Sequence, residues 1–259
     1  MSDHRELTAR QEAELSELVT RQDEEGLCWL TLNRPEKLNS LTVGMFQELR
    51  QHVVDLKKDD SVICVILRGA GKCFSAGHDL GDIAEGEKVP SRGWHSETLR
   101  MLEKLPKPVI AAVHGHCYTG ALEVALAADF ILAAKSAKFA DTHAKWALTP
   151  IWGMSQRLPR RVGIATAKRL MFTAETVKAE QALAMGLCEA VFDDDSFEDD
   201  LRGFAQQILA NSAFSHAANK RLLEATDADP LDAGLQWEIM ENEGVGPDMQ
   251  ARIGAFMKK

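Results

Sequence analysis

The sequence predicts an α/β fold, and three observations carry that prediction. Short apolar runs of strand length recur up to about residue 193, set between segments of helical spacing. Several of these runs are apolar at every position, the pattern of strands covered on both faces of a parallel sheet. Beyond the acidic turn Asp193-Asp194-Asp195 the pattern changes to continuous helical character with no convincing strand.

The elements follow in order. Residues 1–25 are polar and highly charged and are expected to form an N-terminal extension, helical over much of its length. Residues 28–32 alternate as a strand that Asn33-Arg34-Pro35 breaks. Residues 42–58 place Val43, Phe46, Leu49, Val53 and Leu56 near helical spacing, and Asp59-Asp60 ends the helix. Residues 62–67 form an apolar strand. A helix is expected over 94–104, and Pro106 and Pro108 then isolate a strand at 109–113. Residues 130–134 form a further strand. Apolar spacing near 3.6 residues places helices at 196–211, 212–225 and 231–243. The expected organisation is an extension over 1–25, an α/β core over 26–195 and a helical C-terminal region over 196–259.

Composition narrows the functional class. Hydrophobic residues make up 45% and charged residues 27%, which suits a globular enzyme. No apolar run approaches the roughly 20 residues of a membrane span, and the polar start Met1-Ser2-Asp3-His4 lacks a signal-peptide core. A cytoplasmic location without membrane partners is expected. The net charge of −9 disfavours nucleic acid as a partner. The five cysteines are scattered and odd in number, which points to buried, reduced thiols.

Two loops carry the chemistry. The strand at 109–113 opens into His114-Gly115-His116-Cys117-Tyr118-Thr119-Gly120-Ala121-Leu122-Glu123, and an Ala-rich helical run follows. A glycine at a strand–helix junction lets the backbone approach a ligand, and the first N–H groups of a helix lack internal partners. Glu123 lies one helical turn past Gly120, so donor and carboxylate can face one small volume. The alternative is a plain turn with a solvated glutamate. The strand at 62–67 likewise opens into a small-residue loop, with Phe74-Ser75-Ala76-Gly77-His78-Asp79-Leu80 at its end. Two such loops, each offering one N–H, are what an oxyanion hole for a carbonyl requires.

Other ligand motifs fail. Gly69-Ala70-Gly71-Lys72 lacks the upstream glycine of a P-loop, and residue 73 is Cys. The dinucleotide fingerprint, the H-E-x-x-H and paired C-x-x-C metal motifs and the nucleophile elbow are all absent. No metal site and no cofactor are expected.

Taken together, the two loops resemble those of the enoyl-CoA hydratase/isomerase (crotonase) superfamily. Leu32-Asn33-Arg34-Pro35 with Asn39-Ser40-Leu41, Pro150 with Gly153 and Gln156-Arg157-Leu158, and Ala182-Leu183-Ala184-Met185-Gly186-Leu187 agree with it in the same order. The resemblance implies a crotonase-like spiral of ββα units, followed by a helical C-terminal region that packs subunits into a homotrimer or homohexamer. It implies an acyl-CoA substrate whose thioester oxygen is held by the backbone N–H groups of His78 and Gly120. Lys37, Leu38, Ala76, Asp79, Leu80, Phe256 and Lys259 are the coenzyme A contacts it suggests, the last two often reaching a neighbouring subunit.

Glu123 matches the first of the two glutamates that activate water in hydratases. The second position holds His143, a departure from the hydratase pattern. His143 can serve as acid or base near neutral pH, Asp141 can supply the missing carboxylate from beside it, or His143 is a packed, hydrogen-bonded residue. His114 and His116 read as structural, and Tyr118 and Trp146 as pocket wall or core. The expected activity is hydration of a 2-enoyl-CoA to a 3-hydroxyacyl-CoA in fatty acid metabolism. Isomerisation, thioester hydrolysis, decarboxylation and non-catalytic acyl-CoA binding are the alternatives.

Overall fold

A computed structural model describes residues 17–227 and 230–257. A hairpin opens the fold, β1 (Val19–Glu24) pairing antiparallel with β2 (Leu27–Leu32). The expected helical extension is therefore corrected over its last residues. Val19 is buried, so this segment has an apolar anchor and joins the sheet as its edge. Residues 1–16 of that expected extension lie outside the described residues.

There follow α1 (Val43–Leu56), β3 (Cys64–Gly69), α2 (Leu80–Glu85), α3 (Trp94–Glu103), β4 (Val109–Val113), β5 (His116–Tyr118) and α4 (Gly120–Ala125). Next come β6 (Phe130–Ala134), β7 (Lys138–Ala140), α5 (Met154–Val162), α6 (Ile164–Thr173), β8 (Val177–Lys178), α7 (Ala179–Ala184) and β9 (Ala190–Phe192). The chain ends on α8 (Phe197–Leu209), α9 (Ala213–Leu223), α10 (Leu231–Glu241) and α11 (Met249–Phe256). The expected strands and helices recur with boundaries shifted by one or two residues, the usual fraying of such assignments.

The main sheet runs β1-β2-β3-β4-β6-β9, parallel from β2 onward. Period-two alternation divides its side chains between two cores. Cys28, Leu30, Leu32, Val65, Leu67, Val109, Ala111, Val113, Ile131 and Ala133 face the larger one. Trp29, Cys64, Ile66, Ile110, Ala112 and Leu132 face the other, which Leu201 and Ala205 of α8 cover. This explains why these strands read as apolar at every position. α8, the first helix of the C-terminal region, covers that second core. All five cysteines are buried and unbridged.

A second layer consists of β5, β7 and β8. β4 and β6 pass into this layer through β5 and β7 before the chain turns helical, as β4-β5-α4 shows. Earlier turns of the spiral leave only single bridges there, Leu41 with His78 and Ser75 with Cys117. These bridges stack one turn on the next and so set the His78 loop beside the Gly120 loop. Asn39, fully buried, locks the first turn: its Nδ2 donates to the carbonyls of Ala70 and Cys73, and its Oδ1 accepts from the Arg34 N–H.

Among the described residues, no helix is long and apolar enough to cross a membrane. Residues Leu231, Ile239 and Met240 of α10 and Ile253 and Phe256 of α11 are exposed.

Candidate active site

The two loops meet over a cavity of about 450 Å³, lined among others by His78, Gly120, Glu123 and His143. Their approach demands glycine. A Cβ on Gly77, whose φ is +104°, meets the Tyr118 carbonyl oxygen at 2.5 Å. A Cβ on Gly120 meets the Trp152 ring at 2.6 Å and the His78 backbone nitrogen at 3.3 Å. The His78 and Gly120 amides thus lie side by side, and neither donates a hydrogen bond to a described residue.

Thr119 aims the Gly120 amide. Its φ of 53° and ψ of −109° are strained for a β-branched residue, which costs on the order of 1–3 kcal/mol. Its N–H donates to the Ala140 carbonyl at 2.8 Å, and its Oγ1 accepts from the Thr142 N–H at 3.0 Å, which pins the turn.

Glu123, on α4, is 1% exposed. Its Oε1 accepts from the N–H groups of Trp152 at 3.0 Å and Met154 at 2.9 Å. Hydrogen bonds to a charged group contribute about 1.5–3 kcal/mol each, whereas burying an ion costs several. Burial wins, and it pushes the Glu123 carboxyl up to about 7 against the lowering effect of these donors and of His143. Glu123 Oε2 faces His143 Nε2 at 3.9 Å.

The other ring nitrogen of His143, Nδ1, lies 2.6 Å from Asp141 Oδ1, which also accepts the His143 N–H at 3.2 Å. Burial opposes the imidazolium, but the Asp141 hydrogen bond and the charges of Asp141 and Glu123 outweigh it and raise the His143 pKa. Asp141, the alternative source of the missing carboxylate, is bonded to Nδ1 of the His143 ring. It lies just past β7, is buried and is not among the residues lining the cavity.

The suggested coenzyme A residues divide. Ala76 and Leu80 line the cavity. Lys37 is exposed on the turn Pro35–Lys37, and Leu38 accepts the Ala76 N–H at 2.9 Å, one residue removed from the cavity lining. Asp79 caps α2 through Gly81 and accepts from Ser40 and Arg34. Although burial works against it, these donors hold its carboxyl below the usual range, and its side chain is committed to the loop. Phe256 is exposed and does not line the cavity of its own chain. Lys259 lies outside the described residues. Tyr118 and Trp146 both line the cavity, while His114 bonds the Gly71 carbonyl and His116 bonds the Tyr118 hydroxyl.

Sequence reasoning missed Trp152, which covers the amide pair, and Glu87 and His95. Glu87 and Trp152 sit on irregular loops, where no periodicity marks a residue as inward-facing, and His95 sits at the start of α3, beside Trp94. Gly153, at φ +121°, was the one available signal for Trp152.

A two-layer spiral of this kind, with paired loop amides above a buried carboxylate, defines a class, and the comparisons agree with it. The enoyl-CoA hydratase/isomerase family model matches residues 22–256, and the chain belongs to that family. It is 33% identical over 254 residues to 1,2-epoxyphenylacetyl-CoA isomerase of Escherichia coli, covering 95% of this chain and 97% of that one. It is 32% identical to the short-chain-enoyl-CoA hydratase of Clostridium acetobutylicum, over 89% of this chain and 90% of the other. The crystal structure of an enoyl-CoA hydratase from Bacillus anthracis superposes with a TM-score of 0.89 at 31% identity, covering 93% and 96% of the two chains.

Proposed function

We propose that this chain hydrates a 2-enoyl-CoA to a 3-hydroxyacyl-CoA, as a lyase. The observation that carries the reading is Glu123 paired with His143 beneath two unengaged amides in one cavity. The amides of His78 and Gly120 hold the thioester oxygen as negative charge grows on it, each donor being worth about 2.7–4 kcal/mol in comparable sites. Ionised Glu123 takes a proton from water as its oxygen bonds to C3. His143, with Nδ1 fixed by Asp141, delivers a proton from Nε2 to C2. Addition of water across the double bond is thereby balanced, and the second proton relay falls to histidine in place of a carboxylate.

Crotonyl-CoA tests the reaction directly. Loss of the enoyl absorbance without release of free thiol is the expected result. Thiol release indicates hydrolysis, and no change with any 2-enoyl thioester removes the hydratase reading. A second reading, double-bond isomerisation, is favoured by one observation: Asp141 is bonded to Nδ1 of His143, which leaves Glu123 as the carboxylate facing Nε2. A 3-enoyl-CoA gaining conjugated absorbance supports it.

Binding is tested apart from chemistry. A ligand that binds only the native state raises its stability, by about 2.7 kcal/mol at a hundred times Kd. Millimolar acetyl-CoA is expected to raise the melting temperature, and an unchanged melt counts against the acyl-CoA site.

The exposed apolar faces of α10 and α11 support assembly into a homotrimer or homohexamer. Sedimentation is expected to give a multiple of 28.6 kDa, and a clean monomer contradicts it. A cytoplasmic location, without nucleic-acid or membrane partners, fits the charge and composition.

A further inference from the structure

The cavity wall carries a second polar cluster that hydration does not use. Glu87, in the segment between α2 and α3, lines the cavity. Its Oε1 accepts from His78 Nε2 at 3.0 Å. His95 Nε2, on α3, lies 3.5 Å from the same oxygen, buried and without a hydrogen-bond partner. Aromatic rings enclose the group. Trp152 lies 4.6 Å from the His78 ring and 4.7 Å from the His95 ring, and Phe46 meets His95 edge-on at 4.5 Å. Burial pushes His95 down to about 4, with a further lowering from His78, so its ring stays neutral.

Such a cluster is poorly explained by folding alone. Polar groups in an aromatic wall cost desolvation, and apolar residues of the same volume are often as stabilising or more so. Nor is the cluster saturated. Glu87 Oε1 is engaged by His78, whereas no described residue donates to Oε2. A carboxylate accepts hydrogen bonds and offers none, so Glu87 presents an open acceptor to whatever fills the cavity. His78 joins the two functions: its amide faces the site of the thioester oxygen, and its imidazole holds Glu87. Glu87 lines the same cavity as His78 and Gly120, so a thioester held at the amides shares that cavity with Glu87.

We propose that Glu87, held by His78 and backed by His95, is a specificity-determining residue that selects acyl-CoA thioesters carrying a hydroxyl group on the acyl chain beyond the reacting carbons. The inference rests on the acyl-CoA reading of the cavity. A hydroxyl donates to Oε2, a plain hydrocarbon leaves that oxygen without a ligand donor, and a second carboxylate is repelled.

Calorimetric titration with saturated thioesters, which cannot be hydrated, separates recognition from turnover. The probes are 4-hydroxybutanoyl-CoA against butanoyl-CoA, 6-hydroxyhexanoyl-CoA against hexanoyl-CoA, and succinyl-CoA as the anionic control. At least one hydroxylated thioester is expected to bind about tenfold tighter than its parent, the value of a hydrogen bond to a charged acceptor. Succinyl-CoA is expected to bind more weakly than butanoyl-CoA. E87L is expected to abolish the hydroxyl preference by weakening the hydroxylated ligand. E87Q, which keeps the shape and the His78 contact, is expected to cut it roughly fivefold through loss of charge. Equal binding of each pair by the wild type, or a preference that survives E87L, overturns the proposal while leaving the acyl-CoA site intact. Failure of every thioester to bind overturns both.

Discussion

Glu123→Gln lowers turnover of a 2-enoyl-CoA by at least about a hundredfold, the low end of the 10²–10⁴ that a positioned acid or base contributes. The amide cannot take a proton from water. Its carbonyl oxygen still accepts from the N–H groups of Trp152 and Met154, so the loop carrying Trp152 stays in place. Affinity for a non-reacting acyl-CoA and the melting temperature are expected to hold, because the amide pair and the cavity wall are untouched. Steady-state kinetics beside a binding titration make the check. Turnover near that of the wild type removes Glu123 from the chemistry.

The pH profile and the His143 variants carry the second large effect. Glu123 works ionised, and burial places its pKa at about 7. Below that pH the carboxyl is protonated and the base is lost, so the rate rises with pH through this region. His143 works protonated, and its pKa is raised by the hydrogen bond and charges that outweigh its burial. Above that raised value the acid is lost and the rate falls. A bell-shaped profile is expected, its two limbs belonging to the Glu123–His143 pair rather than to either residue alone. His143→Ala is expected to cost about 10²–10⁴ in turnover and to remove the falling limb while leaving the rising one. Asp141→Asn is expected to shift the falling limb to lower pH, since the charge that stabilises the imidazolium is gone, with a smaller loss of rate. A His143→Ala enzyme with near-normal turnover and an unchanged bell shows that the proton to C2 comes from elsewhere.

The class of fold was legible because sheet and helix impose periods. Cys28, Leu30 and Leu32 alternate with Trp29, and Phe46, Leu49, Val53 and Leu56 share a helix face. Local covalent constraints were legible as well. The Gly77 and Gly120 positions follow from backbone that must approach backbone, and Glu123 follows from being one helical turn beyond Gly120.

What lay beyond the sequence was everything fixed by contacts between distant loops. The departure at His143 was visible, but its alternatives were not separable, because ring orientation depends on which carboxylate reaches which nitrogen. Only the fold shows Asp141 bonding Nδ1 from behind while Nε2 faces Glu123. The segment at 19–24 read as charged and helical because five of its six residues are polar, yet an available sheet edge beside Leu27–Leu32 supplied backbone partners that propensity could not foresee. Glu87, His95 and Trp152 meet His78 from three separate segments. Local sequence pattern carries periodicity and turn chemistry, whereas the spiral's stacking decides which loops become neighbours. That stacking sets the burial of Glu123, the ring orientation of His143 and the open acceptor at Glu87.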